Sequence, residues 1–229
     1  MAEQPPRLSR SVEDYLKAIY GLCEGGDPAV TRDIAERLEV QPASVSGMVK
    51  RLAESDLLEH VPYRGVRLTS SGTREALRIL RRHRILETYL HERLGYTWDD
   101  VHAEAERLEH AASDRLIERM AHALDDPRHD PHGAPIPDAS GAIDAARYPT
   151  LADEDLPRRV VIRAVQDEDP EHLRYLESRG LVPGVELVLE ARVPFEGTLR
   201  VRVAGSGGEL ETLGENLASR ILVSPVEVP

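Results

Sequence analysis

Two short amphipathic segments, separated by only a few residues, constrain this chain more than any other feature. TRDIAERLEV, residues 31–40, sets Ile34, Ala35 and Leu38 on one helical face, and QPASVSGMVKRLAESDLLEH, residues 41–60, resumes the period at Val45, Met48, Val49 and Leu52. Thr31 opens the first in a capping-box-like pattern, and Pro42 stands where a helix tolerates proline, at its start. The small side chain of Ala35 suits a tight crossing, so the pair meets the requirements of a helix-turn-helix. Upstream, SVEDYLKAIYGLCEG predicts another helix, with Ser11 as N-cap and Val12, Tyr15, Leu16, Ile19 and Leu22 at helical spacing. Downstream, LLEHVPYRGVRLTSSG alternates like a two-stranded ribbon turning at Tyr63-Arg64-Gly65. A helix-turn-helix followed by such a ribbon is a winged helix.

From Thr73 to about Leu124 the pattern returns to long helices, one near 73–93 and a second near 99–123. Their apolar stripe, which includes Leu108, Ala112, Leu116, Ile117 and Met120, needs a cover, either the first domain or a second copy of the chain. DDPRHDPHGAPIPDASG, residues 125–141, ends the helical region with Pro, Gly and Asp, and a linker runs on to about Leu156. Beyond it RRVVIRAV, VELVLEAR, TLRVRVAG and SRILVSPVEV alternate as short strands, with one helix in DEDPEHLRYLESRG. The expected fold is mainly α with a small β domain. Its parts are an N-terminal winged helix-turn-helix (1–73), a helical dimerisation and metal-binding domain (74–140), a linker (141–156) and a C-terminal SH3-like β-barrel (157–229).

Composition narrows the function. Aromatic residues are only 4%, which favours several small aliphatic cores over one large one. The single cysteine, Cys23, excludes an internal disulfide and thiolate-rich zinc sites, and points to the cytoplasm. No apolar run approaches membrane-spanning length, so no membrane partner is expected. The net charge of -12 argues against nucleic acid in general, but the acid is unevenly placed: residues 1–74 hold 10 Lys+Arg against 11 Asp+Glu. A near-neutral segment can still present a basic face to DNA.

The densest ionisable stretch is EAERLEH, residues 104–110. On one continuous helix Glu106, Glu109 and His110 would share a face, one turn beyond His102. Taken alone, a solvated charged face explains it as well as a metal site does.

The whole pattern resembles the diphtheria toxin repressor family of metal-dependent transcriptional repressors. The similarity is carried by VEDYLKAIY (12–20), DIAERLEVQPASVSGMVKRL (33–52), YRGVRLTSSG (63–72), HRILE (83–87) and VHAEAERLEH (101–110), in the family's order. It implies a principal metal site of Asp14, Glu106, Glu109 and His110. Three carboxylates close together repel one another, and a divalent cation removes that repulsion. Iron-responsive members have Met and Cys where this chain has Asp14 and Glu106, as manganese-responsive members do, so Mn²⁺ is expected first and Fe²⁺ second. The resemblance also implies an ancillary site of His83, Glu87 and His102, completed from the C-terminal domain by Asp169 and His172, where Asp and His depart from the family's Glu and Gln. Manganese-type binuclear members carry a further acid one turn beyond Asp14. Lys17 stands there instead and favours two separated sites.

DNA recognition would run through the second helix of the helix-turn-helix, with Pro42, Ala43, Ser44, Ser46, Met48 and Lys50 exposed and Gly47 unable to read a base. Lys50, Arg51, Arg64 and Arg67 are candidate phosphate contacts. The expected protein is a cytoplasmic, homodimeric, metal-activated repressor that binds double-stranded operator DNA and controls metal-ion homeostasis genes. The rival readings are a winged-helix regulator of a non-metal ligand and a metallohydrolase. The second rival lacks HExxH or comparable catalytic spacing, so the chain is not expected to be an enzyme.

Overall fold

The computed structural model describes residues 8–144, 146–153, 158–193, 197–204 and 210–226. The chain forms two compact units: residues up to Arg82 together with 109–111 and 137–142, and residues 83–108, 112–136 and 143 onward.

The first unit contains α1 (Arg10–Cys23), α2 (Thr31–Arg37), α3 (Pro42–Glu54), β1 (Leu58–Val61), β2 (Gly65–Leu68) and the start of α4 (Ser70–Leu94). Leu16, Ile19, Ile34, Val45 and Leu52 are at most 1% exposed and form its core, as their helical spacing predicts. Helix starts differ slightly from expectation. α1 begins one residue before Ser11 with Ser9 as N-cap, and Thr31 is the first residue of α2 rather than its cap. Neither cap residue makes a side-chain cap bond. The ribbon is antiparallel, Leu58 opposite Leu68 and Val61 opposite Gly65. Gly65 is required where it stands: its φ is +123°, and a Cβ would lie 2.2 Å from the Ala29 carbonyl oxygen. That close approach allows Ala29 and Val66 to exchange two 2.9 Å backbone hydrogen bonds, which tie the ribbon to the helices.

In the second unit the expected helix over 99–123 is two helices, α5 (Val101–Leu108) and α6 (Asp114–Ala123). Ser113 breaks the run by capping α6, its hydroxyl accepting from the Leu116 amide at 3.2 Å. Ile85, Leu86, Leu90, Val101, Ala105, Ile117 and Ala121 pack around these helices. A second core lies under a five-stranded antiparallel sheet in the order β6-β5-β4-β3-β7, made from β3 (Arg159–Val165), β4 (Glu186–Val193), β5 (Thr198–Val203), β6 (Leu210–Leu213) and β7 (Ile221–Pro225). α7 (Pro170–Ser178) joins β3 to β4, and the short α8 (Glu215–Ala218) precedes β7. This is the SH3-like domain. β-bulges at Ile162/Ala164 and Leu189/Ala191 let the sheet curl. The four-residue β6 is too short for alternation to reveal.

The Pro- and Gly-rich stretch after α6, which precedes the expected linker, is held by specific hydrogen bonds. The Asp130 carboxylate accepts from the His132 and Ala134 amides at 2.8 and 3.0 Å, and the Trp98 indole donates to the Pro131 carbonyl at 2.9 Å. Val165 of β3 donates its amide to the His132 carbonyl. Among the described residues no helix is long and apolar enough to cross a membrane.

Candidate metal centre

Within the first unit, α1 and the turn after α5 bring together groups distant in sequence. Asp14 Oδ1 lies 2.9 Å from His110 Nε2, and Glu109 Oε1 lies 3.4 Å from the same nitrogen. Glu109 and His110 project from this turn, not from a helix face, because α5 ends at Leu108. The position is charge-dense. Lys17 Nζ reaches Glu109 Oε1 at 2.7 Å, Arg10 lies 3.9 Å from Asp14, and the buried pair Glu13–Arg82 adjoins at 3.3 Å. Burial pushes the Asp14 carboxyl up, against the opposing pull of His110, Arg10 and Lys17. Glu13 was not foreseen as part of this site: its Oε2 lies 2.7 Å from His110 Nδ1. Glu106 belongs to the other unit, where its carboxylate faces His102 Nε2 at 3.8 Å.

In the second unit, His83 and Glu87 stand one turn apart on α4, and His102 enters from α5. His83 Nε2, Glu87 Oε1 and His102 Nδ1 are mutually 2.9, 3.1 and 3.0 Å apart. Three donors about 3 Å apart have the spacing of adjacent corners of an octahedron with bonds of about 2.1 Å. Burial opposes the charge on Glu87, yet His83 and the hydrogen bonds from both histidines hold its carboxyl well below the ordinary range.

A third group, which sequence reasoning missed, shares Glu87: with Asp130 and His132 it places three donor atoms within 4.8 Å of one another, all on buried residues. Desolvation, reinforced by the Glu87 charge, pushes Asp130 up to about 6 despite Arg84 and His132. His132 Nε2 lies 2.9 Å from the Trp98 carbonyl oxygen and its ring leans on the indole at 5.0 Å. The signal was the HDPHG stretch, whose two histidines and one aspartate lie in five residues without helical or strand period.

Asp169 and His172 do not join either cluster among the described residues. Asp169 caps α7, accepting from the Glu171 and His172 amides, and the first of these bonds leads in holding its carboxyl low. His172 Nδ1 contacts Asp167, whose fully buried side chain also meets Arg220 at 3.3 Å. An ungapped offset therefore selected the helix cap, while the buried carboxylate lies two residues earlier.

On α3, Pro42, Ala43, Ser44, Ser46, Gly47, Lys50 and Arg51 are exposed, and Met48 is partly buried against the core. Ser46 Oγ donates back to the Pro42 carbonyl at 3.2 Å. In the wing, Arg64 pairs with Asp27 at 2.9 Å and Arg67 donates to the Gly26 carbonyl. Both wing arginines thus have partners within the protein.

A winged helix, a helical segment bearing clustered His and carboxylate donors, and an SH3-like sheet together define a metal-responsive DNA-binding regulator. The chain belongs to the iron-dependent repressor family, that of the diphtheria toxin repressor. "Iron dependent repressor, N-terminal DNA binding domain" matches residues 7–66, "Iron dependent repressor, metal binding and dimerisation domain" matches 69–138, and "FeoA domain" matches 150–225. The iron-dependent repressor IdeR of Mycobacterium leprae is 33% identical, covering 80% of this chain and 85% of its own. The diphtheria toxin repressor of Corynebacterium efficiens is 32% identical, covering 96% and 97%. Among solved structures, a manganese-dependent transcriptional repressor in complex with manganese matches with a TM-score of 0.86 and 38% identity, covering 94% of this chain and all of its own. The manganese regulator SloR matches at 0.77 and 34%, covering 94% and 98%. The family is one of transcriptional repressors and not of enzymes.

Proposed function

We propose that this protein is a manganese-activated homodimeric repressor of metal-homeostasis genes, with Fe²⁺ as the second candidate ion. The observation that carries the reading is the meeting of Asp14 with Glu109 and His110, which joins the DNA-binding helices to the turn after α5. Asp14, Glu109 and His110, with Glu106 as the further expected ligand, would hold the activating ion. An Asp in place of a thioether, and carboxylates in place of thiolate, suit Mn²⁺ and Fe²⁺ better than softer metals. When bound, the ion would add positive charge between Asp14 and the Glu109–His110 turn, and the residues holding it would fix the winged helix for docking. The manganese-bound relative supports the choice of metal for this chain.

His83, Glu87 and His102 would form a second, separate site, which Asp130 and His132 extend through Glu87. A second copy is supported by Leu108 and Leu116, 37% and 44% exposed on α5 and α6, and by the matched dimerisation domain. DNA contact would fall to Pro42, Ala43, Ser44, Ser46, Met48, Lys50 and Arg51 on α3 and to Arg64 and Arg67 on the wing. We divide the chain into 1–73, 74–140, 141–156 and 157–229 as DNA-binding, metal-binding, linker and SH3-like parts. Cytoplasmic placement follows from this role.

The test is binding to the DNA upstream of the protein's own gene at one salt concentration, with Mn²⁺, with reduced Fe²⁺ and with chelator. Strong binding with metal, lost in Asp14→Ala, is the expected result. Equal binding in all three conditions would remove the metal switch.

A further inference from the structure

We propose that Glu13, one residue before the candidate ligand Asp14, is a positioning residue that orients the His110 imidazole for the metal. The proposal rests on the reading of Asp14, Glu109 and His110 as a metal site.

Glu13 lies on the buried side of α1 between the core residues Val12 and Leu16, and is only 3% exposed. A carboxylate in such a place needs partners for both oxygens. It has them: Oε1 faces Arg82 Nη1 at 3.3 Å, and Oε2 faces His110 Nδ1 at 2.7 Å. Arg82, itself 2% exposed, comes from α4, so three separate segments converge on one carboxylate. A carboxylate accepts hydrogen bonds, so His110 Nδ1 donates to Glu13 Oε2 at that 2.7 Å contact. Nε2, 2.9 Å from Asp14 Oδ1, faces the candidate ligands, and a proton shared there is the one that a cation would displace.

Without Glu13 the ring could rotate, or could place its proton on Nε2 and close that nitrogen to metal. The carboxylate also makes the imidazole a better donor, a role that such partners of ligand histidines commonly fill. Arg82 fixes the carboxylate in turn. In sequence Glu13 looks like one more charge on an amphipathic helix; its burial and two partners give it a different part.

The direct test uses full-length, metal-free protein with ¹⁵N-labelled histidine, observed well above the ordinary histidine pKa of about 6.5. Glu13→Leu alone would strand Arg82, so it is combined with Arg82→Met, which removes the buried pair together. Wild type is expected to keep a proton on His110 Nδ1, and the double variant, still cooperatively folded, to carry its proton on Nε2 beside Asp14. Glu13→Gln, made together with Arg82→Met so that the amide oxygen can face His110 without the amide nitrogen opposing the guanidinium, is expected to keep the proton on Nδ1. Mn²⁺ titration should show binding at the Asp14-dependent site weakened about 10- to 100-fold in the Glu13→Leu double variant, and less in the Glu13→Gln one. A folded Glu13→Leu double variant with the wild-type tautomer and wild-type Mn²⁺ affinity would overturn the proposal, as would a Glu13→Gln double variant impaired to the same degree. If wild type bound no Mn²⁺ that Asp14→Ala abolishes, the metal-site reading would fail, whereas the tautomer measurement would still report on Glu13 itself.

Discussion

The Lys17 ammonium lies 2.7 Å from the Glu109 carboxylate, and that carboxylate is 1% exposed. A cation carried by α1 therefore already sits on one of the candidate metal ligands. Replacing Lys17 with Met leaves Glu109 with less compensation for its buried charge, which should destabilise the metal-free protein by about 2 to 3 kcal/mol. It also removes a competitor for the oxygen that an ion would take. Saturating Mn²⁺ should therefore raise the melting temperature more in Lys17→Met than in wild type. Thermal unfolding of both proteins, with chelator and with Mn²⁺, checks this. Equal metal-induced shifts would show that Lys17 and the ion do not share Glu109.

Asp130 makes the metal-free protein sensitive to mild acid in an unusual direction. Its carboxyl is pushed up to about 6 by burial and by the Glu87 charge, so the folded state binds this proton more tightly than the unfolded chain, whose value is about 3.9. Folding then binds a proton between about pH 4 and 6, and the Asp130 contribution falls as pH rises through that window, by up to about 3 kcal/mol. Denaturant unfolding in chelator should show this slope in wild type and its loss in Asp130→Asn. A slope unchanged by the substitution would assign the proton to another group.

These two residues show what the sequence made legible and what it did not. The helices of the winged helix follow from Ile34, Val45 and Leu52, whose period matches their burial, and the wing from alternation around Tyr63-Arg64-Gly65. Asp14, Glu109 and His110 could be grouped through family resemblance, because spacing alone says nothing about a helix so far upstream. Glu106 was grouped with them through the same resemblance; the shared helix face expected of Glu106, Glu109 and His110 is interrupted, because α5 ends at Leu108 and Ser113 caps a new helix. Glu13 and Arg82 could not be read as buried, since charged residues ordinarily face solvent, and the contacts that compensate the burial, between the two and from Glu13 to His110, join residues distant in sequence. Asp130 and His132 were hidden for another reason. Their stretch has no period, and its order comes from hydrogen bonds to Trp98 and β3.

Gly133 gives that stretch its shape. Its φ is +86°, and an added Cβ would lie 2.1 Å from the Arg163 carbonyl oxygen of β3. Gly133→Ala must therefore adopt a backbone conformation that costs about 1 to 2 kcal/mol and also push β3 away. The expected result is a protein destabilised by more than about 2 kcal/mol that loses metal binding at the Glu87 sites but retains the Asp14-dependent site. Metal stoichiometry, measured beside thermal unfolding, separates these effects. Undiminished binding at both positions would mean that the turn does not hold Asp130 and His132 in place.

Asp27 restrains the wing. Arg64 pairs with it at 2.9 Å in an exposed position, so the pair itself contributes at most about 1 kcal/mol to stability. Near DNA the same carboxylate has two adverse effects: it repels phosphate and it competes for the arginine that would contact phosphate. Asp27→Ala should therefore leave the melting temperature nearly unchanged and strengthen metal-activated DNA binding. One additional phosphate contact per subunit would steepen the dependence of log affinity on log salt by about 0.9 for each subunit. Arg64→Ala should flatten that dependence by a similar amount, and the double variant should resemble Arg64→Ala because Asp27 acts largely through Arg64. Salt titrations of DNA binding for the three variants check the order. An Asp27→Ala gain that persists in the double variant would place the effect in general repulsion rather than in release of the wing.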